Sequence, residues 1–367
     1  RFSYIGWPTV CRRRSGELIA VFSGGRLAHV CPYGKVQLVR SLDGGETWSE
    51  PVTVRNSSLD DRDAGITELD NGDLLLVTFS SVCFMWRFKD EYARVPAADR
   101  RRDCGYFSLR STDGGRTWED PVRMHSSANH GAVQLKDGRV LLVGRRRPDG
   151  GNFLPEDVPS TTFELVVEES TDRGRSWHVL AKLLPQAPYE LTKFHEPHLV
   201  ECKDGRLRAL FRHHGGASIV QTVSQDGGRT WSPFEDTPIA GLPPHLMRSA
   251  SGDLVCSTAC RSDKRAVELV TVSRDDGATW DTAHAVELVT VASADMGYPS
   301  TVQNDDGTFV TVYYQPDRPG EKPCLMATKW RMAPYDAEAE AACRRDAEER
   351  RARALPTRPA SDTVPTV

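Results

Sequence analysis

The chain has 367 residues, 39% hydrophobic and 27% charged, with a formal net charge of −4 and an isoelectric point near 6.2. This balance presents no basic face for nucleic acid, and no apolar run approaches the ~18–20 residues of a membrane-spanning helix, so neither partner is expected. The nine cysteines are odd in number and scattered; they lack the paired spacing of a zinc site, which predicts free structural thiols, no metal and a reducing compartment. The sequence opens at Arg1 with no visible signal peptide, leaving a cytoplasmic location and secretion after a trimmed signal as the two readings.

From the N-terminus, two turn signatures alternate. The first is a hairpin turn running into an apolar strand, Ser15-Gly16-Glu17-Leu18; the second is Ser-x-Asp-x-Gly-x-Thr/Ser-Trp, first met from Ser41 to Trp48. The pair returns as Asn71-Gly72-Asp73-Leu74 with Ser111 to Trp118, and as Asp137-Gly138-Arg139-Val140 with Ser170 to Trp177. It returns again as Asp204-Gly205-Arg206-Leu207 with Ser224 to Trp231, and as Ser251-Gly252-Asp253-Leu254 with Ser273 to Trp280. A last hairpin, Asp306-Gly307-Thr308-Phe309, has no second turn after it, and the strand around Lys329-Trp330 completes that unit.

Glycine after Asn or Asp between apolar runs is a strong hairpin signal. In the second turn the Asp accepts hydrogen bonds from the loop's own amides, the Gly supplies a conformation closed to other residues, and the Trp anchors the turn on the sheet. The Asp residues (Asp43, Asp113, Asp172, Asp226 and Asp275) therefore read as structural; each turn has too few carboxylates for a calcium loop. Two marked turns per unit imply about four strands, the anatomy of a propeller blade. The prediction is an all-β fold, a six-bladed β-propeller over residues 1–333, with insertions at 84–105 and 146–162 as rim loops. Residues 334–367 read as a helix over 337–355, rich in Ala, Glu and Arg, and a flexible tail.

Blades are related by rotation, so equal repeat positions face the same place. Nine residues before each hairpin glycine stand Trp7, Asp63, Asn129, Glu196, Pro243 and Tyr298. If this position opens the innermost strand, an acid, a second acid and a phenol ring the channel mouth, with His130 and His195 beside them. Arginines supply a second series: Arg145 and Arg212 lie seven residues after their hairpin glycines, Arg62 adjoins Asp63, and Arg265 precedes the fifth Asp turn. A guanidinium fork suits bidentate grip of a carboxylate.

The repeated Asp turns are Asp boxes, and over residues 1–333 the chain resembles the sialidase (neuraminidase) superfamily. The resemblance implies an exo-acting glycoside hydrolase that needs no cofactor and releases a terminal acidic sugar with retention. It implies a Tyr nucleophile, a Glu as its base, an Asp as acid/base and an arginine clamp on the sugar carboxylate. Glu196-Pro197-His198-Leu199-Val200 leading to Arg212 resembles the family's Glu strand and second arginine. Arg265 resembles the third arginine, and Gly297-Tyr298-Pro299-Ser300 the nucleophile strand. A phenol suits this chemistry because the carboxylate on the anomeric carbon of sialic acid repels an anionic nucleophile.

Blade one departs from the pattern. Gly6-Trp7-Pro8 stands where the first arginine is expected, and the segment after Gly25-Arg26 (Leu27 to Tyr33) contains no carboxylate. Blade two compensates in this reading, with Arg62 joining the clamp and Asp63 as acid/base; Asp61 and His29 are its rivals. Arg26, His29, Asp61, His130 and Arg145 complete the candidate substrate-binding set. The altered clamp extends the substrate class to ulosonic and uronic acids. The same scaffold also admits a lyase or non-sialic glycosidase using His29, His130 or His195, or a glycan-binding propeller without catalysis.

Overall fold

The computed structural model describes residues 3–147, 163–215, 218–262 and 264–333. The chain divides into two units, Arg1–Trp330 and Arg331–Val367. The expected helix over 337–355, the tail beyond it and most of the 146–162 insertion lie outside the described residues. The first unit is the six-bladed β-propeller, built from five four-stranded sheets and one three-stranded sheet.

Blade one comprises β1 (Tyr4–Arg12), β2 (Leu18–Arg26), β3 (Lys35–Ser41) and β4 (Val52–Arg55), and blade two β5 (Asp60–Glu68), β6 (Leu74–Ser81), β7 (Gly105–Ser111) and β8 (Val122–Met124). Blade three has β9 (Val133–Gln134), β10 (Val140–Arg146), β11 (Glu164–Ser170) and β12 (His178–Leu183); blade four has β13 (Phe194–Glu201), β14 (Leu207–His213), β15 (Ser218–Ser224) and β16 (Glu235–Ala240). Blade five has β17 (His245–Arg248), β18 (Leu254–Cys260), β19 (Ala266–Ser273) and β20 (Asp281–Val291), and blade six closes with β21 (Gly297–Gln303), β22 (Phe309–Pro316) and β23 (Pro323–Trp330). Each hairpin glycine joins the first two strands of its blade. The 84–105 insertion forms two short helices, α1 (Lys89–Arg94) and α2 (Ala97–Asp103), between β6 and β7.

The Asp boxes link the third and fourth strands and do what the sequence requires. Asp43 accepts from the Ser41 hydroxyl (2.8 Å) and from the amides of Glu46 (3.1 Å) and Thr47 (2.9 Å), and Asp226 repeats the pattern. These donors hold the carboxyls below their ordinary range.

The core lies between blades. Ile19, Val21 and Leu38 of blade one pack on Ile66, Leu76 and Leu109 of blade two, and blades three and four meet through Leu141, Val167, Leu199 and Phe211. Each such fully buried side chain contributes roughly 1.5–3 kcal/mol. The innermost strands pair on one side only, so their free edges need other partners. Side chains of neighbouring blades supply them. The Leu246 amide donates to His198 Nδ1 (2.9 Å), that of Thr301 to His245 Nδ1 (3.3 Å), and that of Val10 to Ser300 Oγ (3.1 Å), which ties blade one to blade six.

Candidate active site

Trp7, Asp63, Glu196 and Tyr298 share an uncommon backbone. Their φ angles are 54°, 46°, 46° and 55°, in the left-handed region that bulky side chains seldom enter. Each sits at a register break in the innermost strand of its blade, between Gly6 and Thr9, Arg62 and Gly65, His195 and His198, and Gly297 and Ser300. Such a bulge re-aims a side chain out of the strand's alternation, at a strain of order 1–3 kcal/mol per residue. Four bulges at one repeat position turn an aromatic, two carboxylates and a phenol toward one end of the axis.

There the Tyr298 hydroxyl donates to Glu196 Oε1, and Arg212 Nη1 donates to Glu196 Oε2 at 2.7 Å. Burial pushes the Glu196 carboxyl up, but Arg212, the Tyr298 hydroxyl and Arg261 outweigh it, so the group sits below the usual glutamate range. Tyr298, 4% exposed, is raised well above the ordinary phenol by burial and by the negative charges of Glu196 and Asp63. Asp63 keeps 13% of its side chain exposed. Burial, with Glu196 adding and Arg62 opposing, raises its carboxyl to about 6. Two carboxyls in one hollow are thus driven apart, one held ionised and one able to carry a proton near neutrality.

Three guanidiniums surround the pair. Arg212 grips Glu196. Arg62 lies 4.2 Å over the Trp7 ring and 3.8 Å from Asp63, so blade two sets a cation beside the position where blade one lacks its arginine. Arg261 lies 5.1 Å over the Tyr298 ring, with its Nε and Nη2 unpartnered. Sequence reasoning missed Arg261. It stands nine residues after Gly252, just past the end of β18 and two positions beyond the place that Arg145 and Arg212 occupy in their blades, so repeat position did not single it out. Tyr4 and Tyr314 were missed as well: they join Trp7 and Tyr298 in one buried aromatic cluster.

His29 stands at the edge of the hollow. The Tyr4 hydroxyl donates its one hydrogen to Asp295 (2.8 Å), so its oxygen receives the His29 Nδ1 proton (2.9 Å) and Nε2 is left as acceptor. Burial, with Arg62, Arg26 and Arg261, lowers this imidazole to about 4. Arg145 lies in an adjoining cavity, where it donates to the His195 ring (2.7 Å).

Other expected site residues face elsewhere. Arg265 is 57% exposed and paired with Glu287 at 2.7 Å, whereas Arg261, four positions earlier, is the one that lies over Tyr298. Arg26 is wholly buried in a two-pronged bond with Asp60 (2.6 and 2.9 Å), which uses its fork to join blades one and two. Asp61 is turned into the blade, where it accepts from Arg55 (3.0 Å) and the Ser57 amide (2.6 Å). His130 is buried, with ring centres 5.6 and 5.0 Å from His198 and His245. Among the described residues, Cys202, Asp204 and Asp276 place possible metal-ligand atoms within 4.8 Å of one another on the rim, but Asp276 is already bound to Arg248 (2.6 Å) and to the Lys203 amide (3.0 Å).

Repeats, blades and this ring of side chains define a propeller of the sialidase superfamily. A family model described as a BNR repeat-like domain matches residues 96–311, more than half of the chain, and the chain belongs to that family. A sialidase of Bacteroides fragilis is 23% identical over 306 residues, covering 76% of this chain and 53% of that protein. The chain spans about half the length of the curated relatives it matches. A crystal structure of a protein of unknown function from Dyadobacter fermentans superposes with a TM-score of 0.71 at 22% identity, covering 90% of this chain and 96% of the other. The NanB sialidase from Streptococcus pneumoniae superposes with a TM-score of 0.66 at 14% identity, covering 90% and 68% respectively.

Proposed function

We propose that this protein is a retaining exo-glycosidase that releases a terminal acidic sugar, with Tyr298 as nucleophile, Glu196 as its base and Asp63 as acid/base. The observation that carries the reading is the hydrogen bond from the Tyr298 hydroxyl to Glu196. A buried neutral phenol is a poor nucleophile alone; a carboxylate held ionised by Arg212 takes its proton as it attacks.

In the first step the Tyr298 oxygen bonds to the anomeric carbon while its proton passes to Glu196. The glycosidic bond breaks, and the departing oxygen takes the proton of Asp63. In the second step Asp63 removes a proton from water, which attacks the same carbon. The bond to Tyr298 breaks, and the phenol recovers its proton from Glu196. Two displacements on one carbon leave its configuration unchanged.

Arg212, Arg261 and Arg62 supply the charge that an acidic sugar needs. Trp7 in blade one makes this clamp different from the family pattern, which keeps sialic, ulosonic and uronic acids together as the substrate class. The relatives named sialidases support the first of these.

The test is a screen of aryl glycosides of these three acids, with anomeric analysis of the product, on the wild type and on Tyr298→Phe. The variant is expected to fold normally and to lose roughly 10³-fold or more in kcat. Undiminished turnover by Tyr298→Phe, or release with inversion, overturns the assignment.

A further inference from the structure

Beside the Tyr298–Glu196 pair lies a second hollow of about 280 Å³, with Asp63 and Glu196 on its inner side and Phe79, Tyr106, Arg145 and Phe163 among its walls. Arg145 is the notable member. Its guanidinium lies 3.4 Å from the centre of the Phe163 ring and donates to the neutral His195 ring (2.7 Å) and to the Thr192 carbonyl (3.5 Å). Its Nε is buried without a partner, and no carboxylate among the described residues pairs with it. Arg26 has Asp60, Arg110 has Asp73, Arg146 has Glu164 and Arg212 has Glu196, whereas Arg145 shares with Arg208, held by Gln221 and a carbonyl, and with Arg261 the absence of a paired carboxylate among the described residues. Burial, with Arg147 adding and Tyr106 and Glu196 opposing, lowers Arg145 to about 10. A half-buried cation with no carboxylate at ion-pair distance is a ready partner for an incoming anion.

Further donors face the same space. Asn129, 4% exposed, and Ser81, wholly buried, both line this hollow. The side-chain nitrogen and oxygen of Asn129 and the hydroxyl of Ser81 have no hydrogen-bond partner. Two guanidiniums, that of Arg145 and that of Arg62 from the neighbouring clamp, line this aromatic-walled cavity with one amide and one hydroxyl, a donor set suited to an oxyanion carried on a ring.

We propose that this hollow is a second anion subsite, which holds a sulfate ester or carboxylate on the part of the substrate that departs. This rests on the reading of Asp63 as the group that protonates the leaving oxygen, because Asp63 lines this hollow. The preferred substrate then carries two anionic groups, one on each side of the scissile bond. Arg212 and Arg261 receive the first, Arg145 with Asn129 receives the second, and Arg62, a member of the clamp that also lines this hollow, borders both.

The test measures binding, so it gives an answer even for a protein that hydrolyses nothing. N-acetylglucosamine 6-sulfate, glucuronate and neutral N-acetylglucosamine are titrated at constant ionic strength into the wild type, Arg145→Gln, Asn129→Asp and Arg212→Gln. Thermal melts verify that each variant is folded. The wild type is expected to favour at least one anionic sugar over the neutral one by about tenfold or more. For the sulfated sugar, Arg145→Gln removes that preference, Asn129→Asp removes it by repulsion and Arg212→Gln keeps it; for glucuronate, which the Arg212 clamp also takes, Arg145→Gln lowers the number of molecules bound from two to one. Which anionic sugar is favoured identifies the oxyanion. No preference in the wild type, or a preference for the sulfated sugar that is lost in Arg212→Gln and kept in Arg145→Gln, overturns the proposal.

Discussion

The carboxyls of Asp63 and Glu196 face one hollow in opposite protonation regimes, and this sets the expected pH dependence. Glu196 has to be ionised to accept the phenol proton, and its carboxyl lies below the usual glutamate range; the acidic limb of the profile therefore appears only below that range, as Glu196 becomes protonated. Asp63 has to be protonated to assist departure, and with its carboxyl at about 6 the acid form is lost as pH rises through that value. A kcat/KM profile with its basic limb near pH 6 is expected, and Asp63→Asn should abolish that limb for substrates with good leaving groups. An unchanged basic limb in Asp63→Asn would move the acid/base role to another residue. Among the arginines, residue type and repeat position singled out Arg62 and Arg212 but chose Arg265 over Arg261. Four residues separate the last two, and only the path of the chain beyond β18 tells which one turns over Tyr298.

At the scale of the strand, the repeat phase found the position but not the cause of its importance. Period-two alternation alone does not aim residues 7, 63, 196 and 298 into the mouth; the bulges do, and a bulge has no composition signal as clear as a hairpin glycine. Asn129 and Pro243 occupy the same phase without positive φ, so rotational equivalence is only partial. The inner strands also depend on histidines as acceptors. His198 takes the Leu246 amide, and burial lowers its imidazole to about 4. Its folded value is depressed from an ordinary 6.5, so the unfolded chain gains a proton between pH 6.5 and 4 while the native state does not. The stability tied to neutral His198 is complete above about pH 6.5 and is lost as pH falls toward 4. His198→Leu, which leaves the Leu246 amide unpaired, should cost about 1–3 kcal/mol at pH 8. Its deficit relative to wild type should narrow in melts at pH 5; a constant deficit would assign His198 a role in packing alone.

At the scale of the molecule, the propeller is a ring of similar blades whose apolar layers lie between neighbours. The seam of blades five and six departs from the others. A hydroxyl chain, Ser257 to Thr301 (2.6 Å) to Thr311 (2.8 Å), runs beside a small cluster of Ala259, Ala266 and Met296. The Asp boxes lie outside the site and brace one blade each, so Asp43→Ala and Asp226→Ala, in blades one and four, should act independently. Each should lower the melting temperature by a few degrees, the double variant should show the sum, and glycan binding and turnover should stay at the wild-type level. A marked drop in turnover in either single variant would tie the box to the site.

The sequence by itself determined the all-β class, the number of blades and the turns that bound them, because hairpin and Asp-box turns are local: their hydrogen bonds close within a few residues of the signal. It also determined the kinds of side chain brought to the axis, since repeat phase is a one-dimensional property. Tertiary structure alone decided which arginines keep a free fork, which carboxyl carries a proton near neutrality and that Arg145 stands without a counterion. Those outcomes depend on burial and on charges brought from blades far apart in the chain, and no spacing in the sequence records how close such charges come.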